Sequence, residues 1–193
     1  MPQNKSTFWN MLLTLTLIAL SAAFILSFVE QTTKEPIKKA KDARELEAIA
    51  AVVREFDNNP FAEKLTINVP GQKKGLELYP ARLGGNINSF AIKTYSNNGF
   101  AGRIEMIVGF SMDGSINNFV VTQSHETPGL GTKINDEKFK AQFRGFNPNR
   151  QIFKVRQDGG EIDAVTAASI SSRAAVNAIQ KAVDAYNNFN AGN

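Results

Sequence analysis

An α+β fold, with an antiparallel sheet and packed helices carried on a single N-terminal transmembrane helix, is the class that three stretches of this 193-residue chain predict. The first is a run of 24 residues without a charge, Ser6 to Val29. The second is a set of β-type runs divided by the turn signals Asn97-Asn98-Gly99 and Asp113-Gly114. The third is Glu161 to Arg173, where a β-type run meets a small-residue turn and then helical periodicity.

The uncharged run, as a helix, covers roughly 36 Å, enough to span a bilayer with some tilt. Trp9 near one end suits an interfacial position. A cleaved signal peptide would have a shorter apolar region ending in a small-x-small site, for which Ser27-Phe28-Val29 is a poor candidate. The predicted organisation is an anchor over 1–30, a membrane-proximal helix within 31–60 and a folded domain over 61–193. Lys5 and the N-terminal amine precede the span. Lys34, Lys38, Lys39, Lys41 and Arg44 follow it, mixed with Glu30, Glu35, Asp42 and Glu45. A strict count of positive charge places the folded domain in the cytoplasm.

Ile37 to Asp57 reads as helix, with Leu46, Ile49, Val53 and Phe56 on one face and a stop at Asn58-Asn59-Pro60. Phe61 to Arg82 reads as short strands and turns, broken at Pro70-Gly71 and Tyr79-Pro80. Phe90 to Tyr95, Gly102 to Phe110 and Ile116 to Thr122 then form a predicted antiparallel meander. Ser124 to Lys133 follows as a loop whose glycines and proline leave amides exposed, with Leu130 as an apolar contact. Such a loop can hold a flat heteroaromatic ring; Thr127-Pro128-Gly129-Leu130-Gly131 reads equally as a purely structural loop. Asn135 is placed to cap a short helix, Asp136 to Phe143, ended by Asn147-Pro148-Asn149. Gln151 to Val155 reads as a strand and Gln157-Asp158-Gly159-Gly160 as a turn.

The last element carries the most chemistry. Ile162 to Val165 reads as a strand and Thr166-Ala167-Ala168 as a turn. A helix follows, with Val176, Ile179, Val183 and Tyr186 on one face. Ser169 sits at its start among Ser171 and Ser172, hydroxyls that can cap free N–H groups. A helix start with exposed amides is an anion site, and the alanines let a phosphorylated group approach the backbone. From spacing alone the stretch also reads as a plain strand–turn–helix junction with a serine cap.

Composition narrows the classes. The absence of cysteine excludes disulfides, thiolate metal sites and cysteine-ligated clusters, and one histidine excludes a multi-histidine metal site. A net charge of +4 without an aromatic-laced basic stripe gives no support to nucleic-acid binding. Ser169, His125 and Asp163 could supply a hydrolytic triad, but the serine lies outside any Gly-x-Ser-x-Gly elbow. Carboxylate spacing gives no support to glycoside hydrolysis.

Asp163-Ala164-Val165-Thr166-Ala167-Ala168-Ser169 resembles the Asp-x-x-(Ser/Thr)-Gly-Ala-(Thr/Ser) signature of the FMN-binding domain family. Glu126-Thr127-Pro128-Gly129-Leu130-Gly131 resembles its second motif, with His125 one residue nearer the glutamate than in the family pattern. The two motifs stand in the family's order over about residues 88 to 185. Ala167 stands where the family usually has Gly, and its methyl group disfavours a positive φ. Ser169 stands where Thr is commoner and offers the same nucleophilic oxygen.

The resemblance implies one FMN joined through its phosphate to Ser169 by a separate flavin transferase. Asp163, Thr166, Ala167 and Ala168 would shape the turn, and the Glu126–Gly131 loop would pack on the ring. It further implies a single-pass protein of the cytoplasmic (inner) membrane, its flavin domain outside, resembling the G subunits of Rnf-type complexes. In that family the complex passes electrons between ferredoxin and NAD and moves Na⁺ or H⁺, with other membrane subunits as partners. Such a protein is a relay and is not catalytic alone. The neighbouring readings are the C subunit of a sodium-pumping NADH:quinone reductase and a flavin-free membrane-anchored assembly module.

Overall fold

The computed structural model describes residues 8–69, 75–148 and 150–191. Lys5, Ser6, Thr7, the Pro70-Gly71 break and Asn149 lie outside the described residues. The chain divides into two compact units, Met1–Arg44 and Glu45–Asn193.

Helix α1 runs Phe8–Ala50, so the expected anchor and the expected Ile37 helix are one continuous element with Pro36 inside it. Its apolar part has a mean hydropathy of 2.4 over 18 residues; among the described residues it alone is long and apolar enough to cross a membrane. Phe8, Trp9, Leu13, Leu20, Phe24, Leu26 and Phe28 are all exposed along it, as lipid-facing residues are.

The second unit is built on a five-stranded antiparallel sheet in sequential order: β1 (Leu65–Ile67), β2 (Leu76–Leu83), β3 (Asn86–Gly99), β4 (Gly102–Ser111) and β5 (Ile116–Gln123). The expected three-strand meander is its β3–β5 part. Alternation sends one row, Leu78, Ile92, Val108 and Phe119, into the core beneath the C-terminal helix α3 (Ser169–Ala191). The adjacent row, Tyr79, Ala91, Gly109 and Asn118, lies on the opposite face. There Tyr79 and Ala91 join a smaller cluster with Ile49, Val52 and Ile107.

That opposite face corrects the end of the first helix. It stops at Ala50 rather than Asp57, because the backbone of Val52 comes down onto the sheet at Gly109. The sheet then takes over the polar groups a longer helix would have bonded internally. Asn118 Nδ2 donates to the Ala51 carbonyl at 3.2 Å, and Asn88 Nδ2 to that of Glu55 at 2.7 Å. Ser89 Oγ accepts from the Arg54 amide at 3.1 Å.

Tyr79-Pro80 is not a break. Both residues lie inside β2, with Pro80 opposite Phe90. β1 pairs only with Leu76 to Leu78, so Pro80 lies past its end. The Pro80 carbonyl accepts from Asn58 Nδ2 at 3.0 Å. N–H and C=O of one strand residue point the same way, so the missing N–H faces that open edge and removes no β3 bond.

Two expected strands are absent. Gln151 to Val155 and Ile162 to Val165 meet only at one bridge, Val155 to Ile162. The Asp163 backbone is instead held by the Gln142 side chain, N–H to Oε1 at 2.7 Å and carbonyl to Nε2 at 3.1 Å. The expected Asp136 helix is shorter: α2 spans Glu137–Lys140 between 3-10 turns at Gly131–Asn135 and Ala141–Phe143. Asp136, not Asn135, occupies its N-cap, without a side-chain bond. Phe139 and Phe143 pack together, ring centroids 5.1 Å apart.

Helix α3 buries Val176, Ile179, Val183 and Tyr186 as the periodicity requires. Ala174, Ala175, Ala178, Ala182 and Ala185 are buried beside them. Their small side chains admit the sheet closely enough for Thr94 Oγ1 to donate to the Ala178 carbonyl at 2.8 Å. This contact holds the helix against β3.

Candidate functional site

Ser169 is the first residue of α3. The Ser172 amide donates to the Ala168 carbonyl at 3.0 Å, the first turn's closing bond, which makes Ala168 the N-cap. The N–H groups of Ser169, Ile170 and Ser171 therefore have no partner within the helix. The hydroxyls do not serve as simple caps. Ser172 Oγ accepts from the Val165 amide at 2.9 Å and donates to the Ala168 carbonyl at 3.0 Å, tying the turn to the helix. Ser171 Oγ donates to Glu126 Oε2 at 2.6 Å. Ser169 Oγ is bonded by no described residue.

Ala167 has φ 60°, the single positive φ outside glycine among the described residues. The expectation that alanine would avoid this region is corrected: the turn keeps glycine-like geometry and alanine bears the strain, of order 1–3 kcal/mol. Ala167→Gly is expected to relieve it. After subtracting about 0.4–1 kcal/mol for the looser unfolded chain, a net gain near 1 kcal/mol remains. Chemical denaturation of the two proteins measures it; a loss of stability would mean the turn relaxes around the methyl group.

A cavity of about 350 Å³ opens at this helix start, lined by Phe100, Glu126, Thr127, Leu130, Gly131 and residues 167–171. The fold thus brings Glu126, Thr127, Leu130 and Gly131 together with Ala167, Ala168 and Ser169, from 36 to 43 residues away in sequence. Pro128 and Gly129 do not line it. Asp163 and Thr166 face a separate cavity of about 590 Å³ with Lys133, Lys138 and Gln142. The Asp163 carboxylate lies 2.6 Å from Arg156 Nε, and that pairing raises the guanidinium further above its ordinary value. His125 is exposed and bonded by no described residue, so no hydrogen bond links Ser169, His125 and Asp163.

Sequence reasoning missed Phe100 and Ile170, and read Ser171 only as a capping hydroxyl. Phe100 is 68% exposed at the β3–β4 turn, where a large aromatic inside an Asn-Gly turn was the available signal. The bond from Ser171 to Glu126 gave no signal, because the two lie 45 residues apart.

Glu126 is the centre of the wall. It is 5% exposed; Oε1 accepts from the Ala101 amide at 3.2 Å, and its own amide donates to Ser124 Oγ at 3.1 Å. Gly131 makes way for it: a Cβ there would lie 2.4 Å from Glu126 Oε2 and 2.6 Å from Ser171 Oγ.

Residues 99–184 match the FMN-binding domain family, a span holding both the Glu126 loop and the Ser169 turn. The G subunit of the ion-translocating oxidoreductase complex of Vibrio cholerae serotype O1 is 32% identical over 185 residues, 91% of this chain and 88% of that one. The G subunit of Vibrio atlanticus is 30% identical, over 92% of this chain and 90% of its own length. That of Haemophilus influenzae strain PittEE is 31% identical, over 83% and 81%. Among solved structures, Shewanella oneidensis NqrC shares the fold, with a TM-score of 0.50 at 20% identity over 64% of this chain and 67% of that one. The chain therefore belongs to the family of G subunits of the ion-translocating oxidoreductase complex, with an FMN-binding domain over its C-terminal half.

Proposed function

We propose that this chain carries one FMN, joined through its phosphate to Ser169, and acts as an electron relay in a membrane complex. The complex would couple ferredoxin/NAD electron transfer to Na⁺ or H⁺ movement. The observation that carries this reading is the placement of Ser169 Oγ. It is bonded by no described residue, stands at the first position of α3, and lines a cavity shared with residues of the Glu126–Gly131 loop.

The residues present fit the group. The cavity volume lies in the small-molecule range. Phe100, Leu130 and Ile170 offer apolar surface to a flat ring, and the open amides of the first α3 turn suit a phosphate. The helix dipole favours that negative charge by about 0.3–1 kcal/mol. FMN would supply reversible uptake and release of electrons; the protein's part is position and electrostatic tuning. Ser172 fixes the turn, Gly131 lets the loop close on Glu126, and Leu130 would offer an apolar contact to the bound ring. No described base is hydrogen-bonded to Ser169 Oγ, and a serine hydroxyl without one is a poor nucleophile. Attachment therefore needs a separate flavin transferase. Intact mass with and without that enzyme tests it: added FMN mass only with the transferase is the expected result.

We further place the flavin domain on the outer face of the inner membrane, with a cytoplasmic N-terminus. The charges after the span oppose this, but long domains translocate largely regardless of charge. Protease added to intact spheroplasts is expected to digest residues 45–193; complete protection would reverse the orientation.

A further inference from the structure

Glu126 is a buried carboxylate with no cation paired to it among the described residues. Its two described bonds come from neutral donors, the Ser171 hydroxyl on one oxygen and the Ala101 amide on the other. The charged groups on the elements around it are engaged elsewhere or turned out. On the β3–β4 hairpin, Arg103 Nε lies 2.8 Å from Glu105 and its guanidinium covers the Tyr95 ring. On α3, Arg173 Nε lies 2.7 Å from Asp158. On the loop itself, His125 and Lys133 are exposed, and no ion pair joins either to Glu126 among the described residues. Gly99 and Gly131 both make room, since a Cβ at either would lie within 2.5 Å of a carboxylate oxygen.

Burying a carboxylate without a counter-charge is costly. The hydrogen-bond pattern does not require one. A glutamine would accept from the Ala101 amide with its oxygen and donate to Ser171 with its nitrogen. A carboxylate is present where a neutral isostere would complete the wall.

We propose that Glu126 is the proton-coupling residue of this site: its carboxylate takes up a proton when the adjoining ligand gains negative charge and releases it when that charge leaves. A second negative charge beside the carboxylate favours the neutral acid, and the Ser171 hydroxyl and Ala101 amide, as donors to the anion, oppose it. The electron comes from a low-potential one-electron donor and the proton from water at the cavity mouth. At Glu126 the only bond formed or broken is O–H. The inference rests on the cavity being the flavin site.

The test uses the full chain co-expressed with a flavin transferase, and begins with its intact mass. The flavin midpoint potential is then followed against pH for wild type, Glu126→Gln and Ser171→Ala, with a redox-difference infrared spectrum of wild type. Wild type is expected to show a proton-linked bend in the potential and a protonated-carboxyl band that appears on reduction. Glu126→Gln should lose both, with a higher potential at alkaline pH because a negative charge has gone. Ser171→Ala should move the bend to higher pH, since the anion loses a donor. The infrared band needs no variant, so an unstable Glu126→Gln leaves the test decisive. Flavinylated wild type without the band, or with the same pH dependence as Glu126→Gln, overturns the proposal while leaving the flavin site standing. A wild type without covalent flavin despite the transferase overturns the site reading, and the proposal with it.

Discussion

Ser169→Ala is expected to abolish covalent flavin completely while leaving the fold nearly unchanged. Ser169 Oγ makes no bond to a described residue, and Ala168 rather than Ser169 holds the N-cap position. Removing the hydroxyl at the first helical position should therefore cost no more than an ordinary surface change, within about 0.5 kcal/mol. Ser169→Thr should retain the flavin, because the oxygen stays and the added methyl group meets a partly open position. Intact mass spectra of the three proteins, each made with the transferase, separate the outcomes. An alanine variant that still carries FMN would move the attachment elsewhere.

Gly109→Ala is expected to cause the largest loss of stability. A Cβ at Gly109 would lie 1.9 Å from the Val52 carbonyl oxygen and 2.6 Å from its carbon. Both are backbone atoms, so no rotamer change relieves the overlap. The residues after Ala50 would have to lift from the sheet, loosening Ile49 and Val52 from Tyr79, Ala91 and Ile107. Overpacking of this kind costs about 1–3 kcal/mol and occasionally more. For a chain of this size that corresponds to a fall of about 2–12 °C in Tm. Thermal melts of both proteins in detergent check it. An unchanged Tm would mean that Val52 can move off the sheet freely.

These two positions also mark what the sequence made legible. The β3–β5 meander was readable because Asn-Gly and Asp-Gly punctuate alternating runs, and α3 because its apolar residues recur at helical spacing. Gly109 was not. A glycine inside a strand signals close approach, yet nothing local says that the approaching chain is Val52. The end of α1 was misplaced for the same reason. Val53 and Phe56 continue the helical period, while the side chains that end the helix, Asn88, Ser89 and Asn118, lie in β3 and β5. Tyr79-Pro80 looked like a break because local rules do not know which edge of β2 is open.

The site divides in the same way. Ser169 and the Glu126–Gly131 loop were found because each is a short contiguous motif. The Glu126–Ser171 bond and the Phe100 wall were invisible, because each needs the β3–β4 hairpin and α3 to meet. Asp163 belongs to the motif but not to the cavity: its backbone is held by Gln142 and its side chain by Arg156.

The most direct measurement is peptide mapping of the wild-type protein made with the transferase. Trypsin releases Gln157 to Arg173 as one peptide, which holds Thr166, Ser169, Ser171 and Ser172. Ser171 and Ser172 are already hydrogen-bonded, and Thr166 faces the other cavity. Fragmentation is expected to place the whole FMN mass on Ser169. Flavin on any of the other three hydroxyls, or on another peptide, would contradict the site built here.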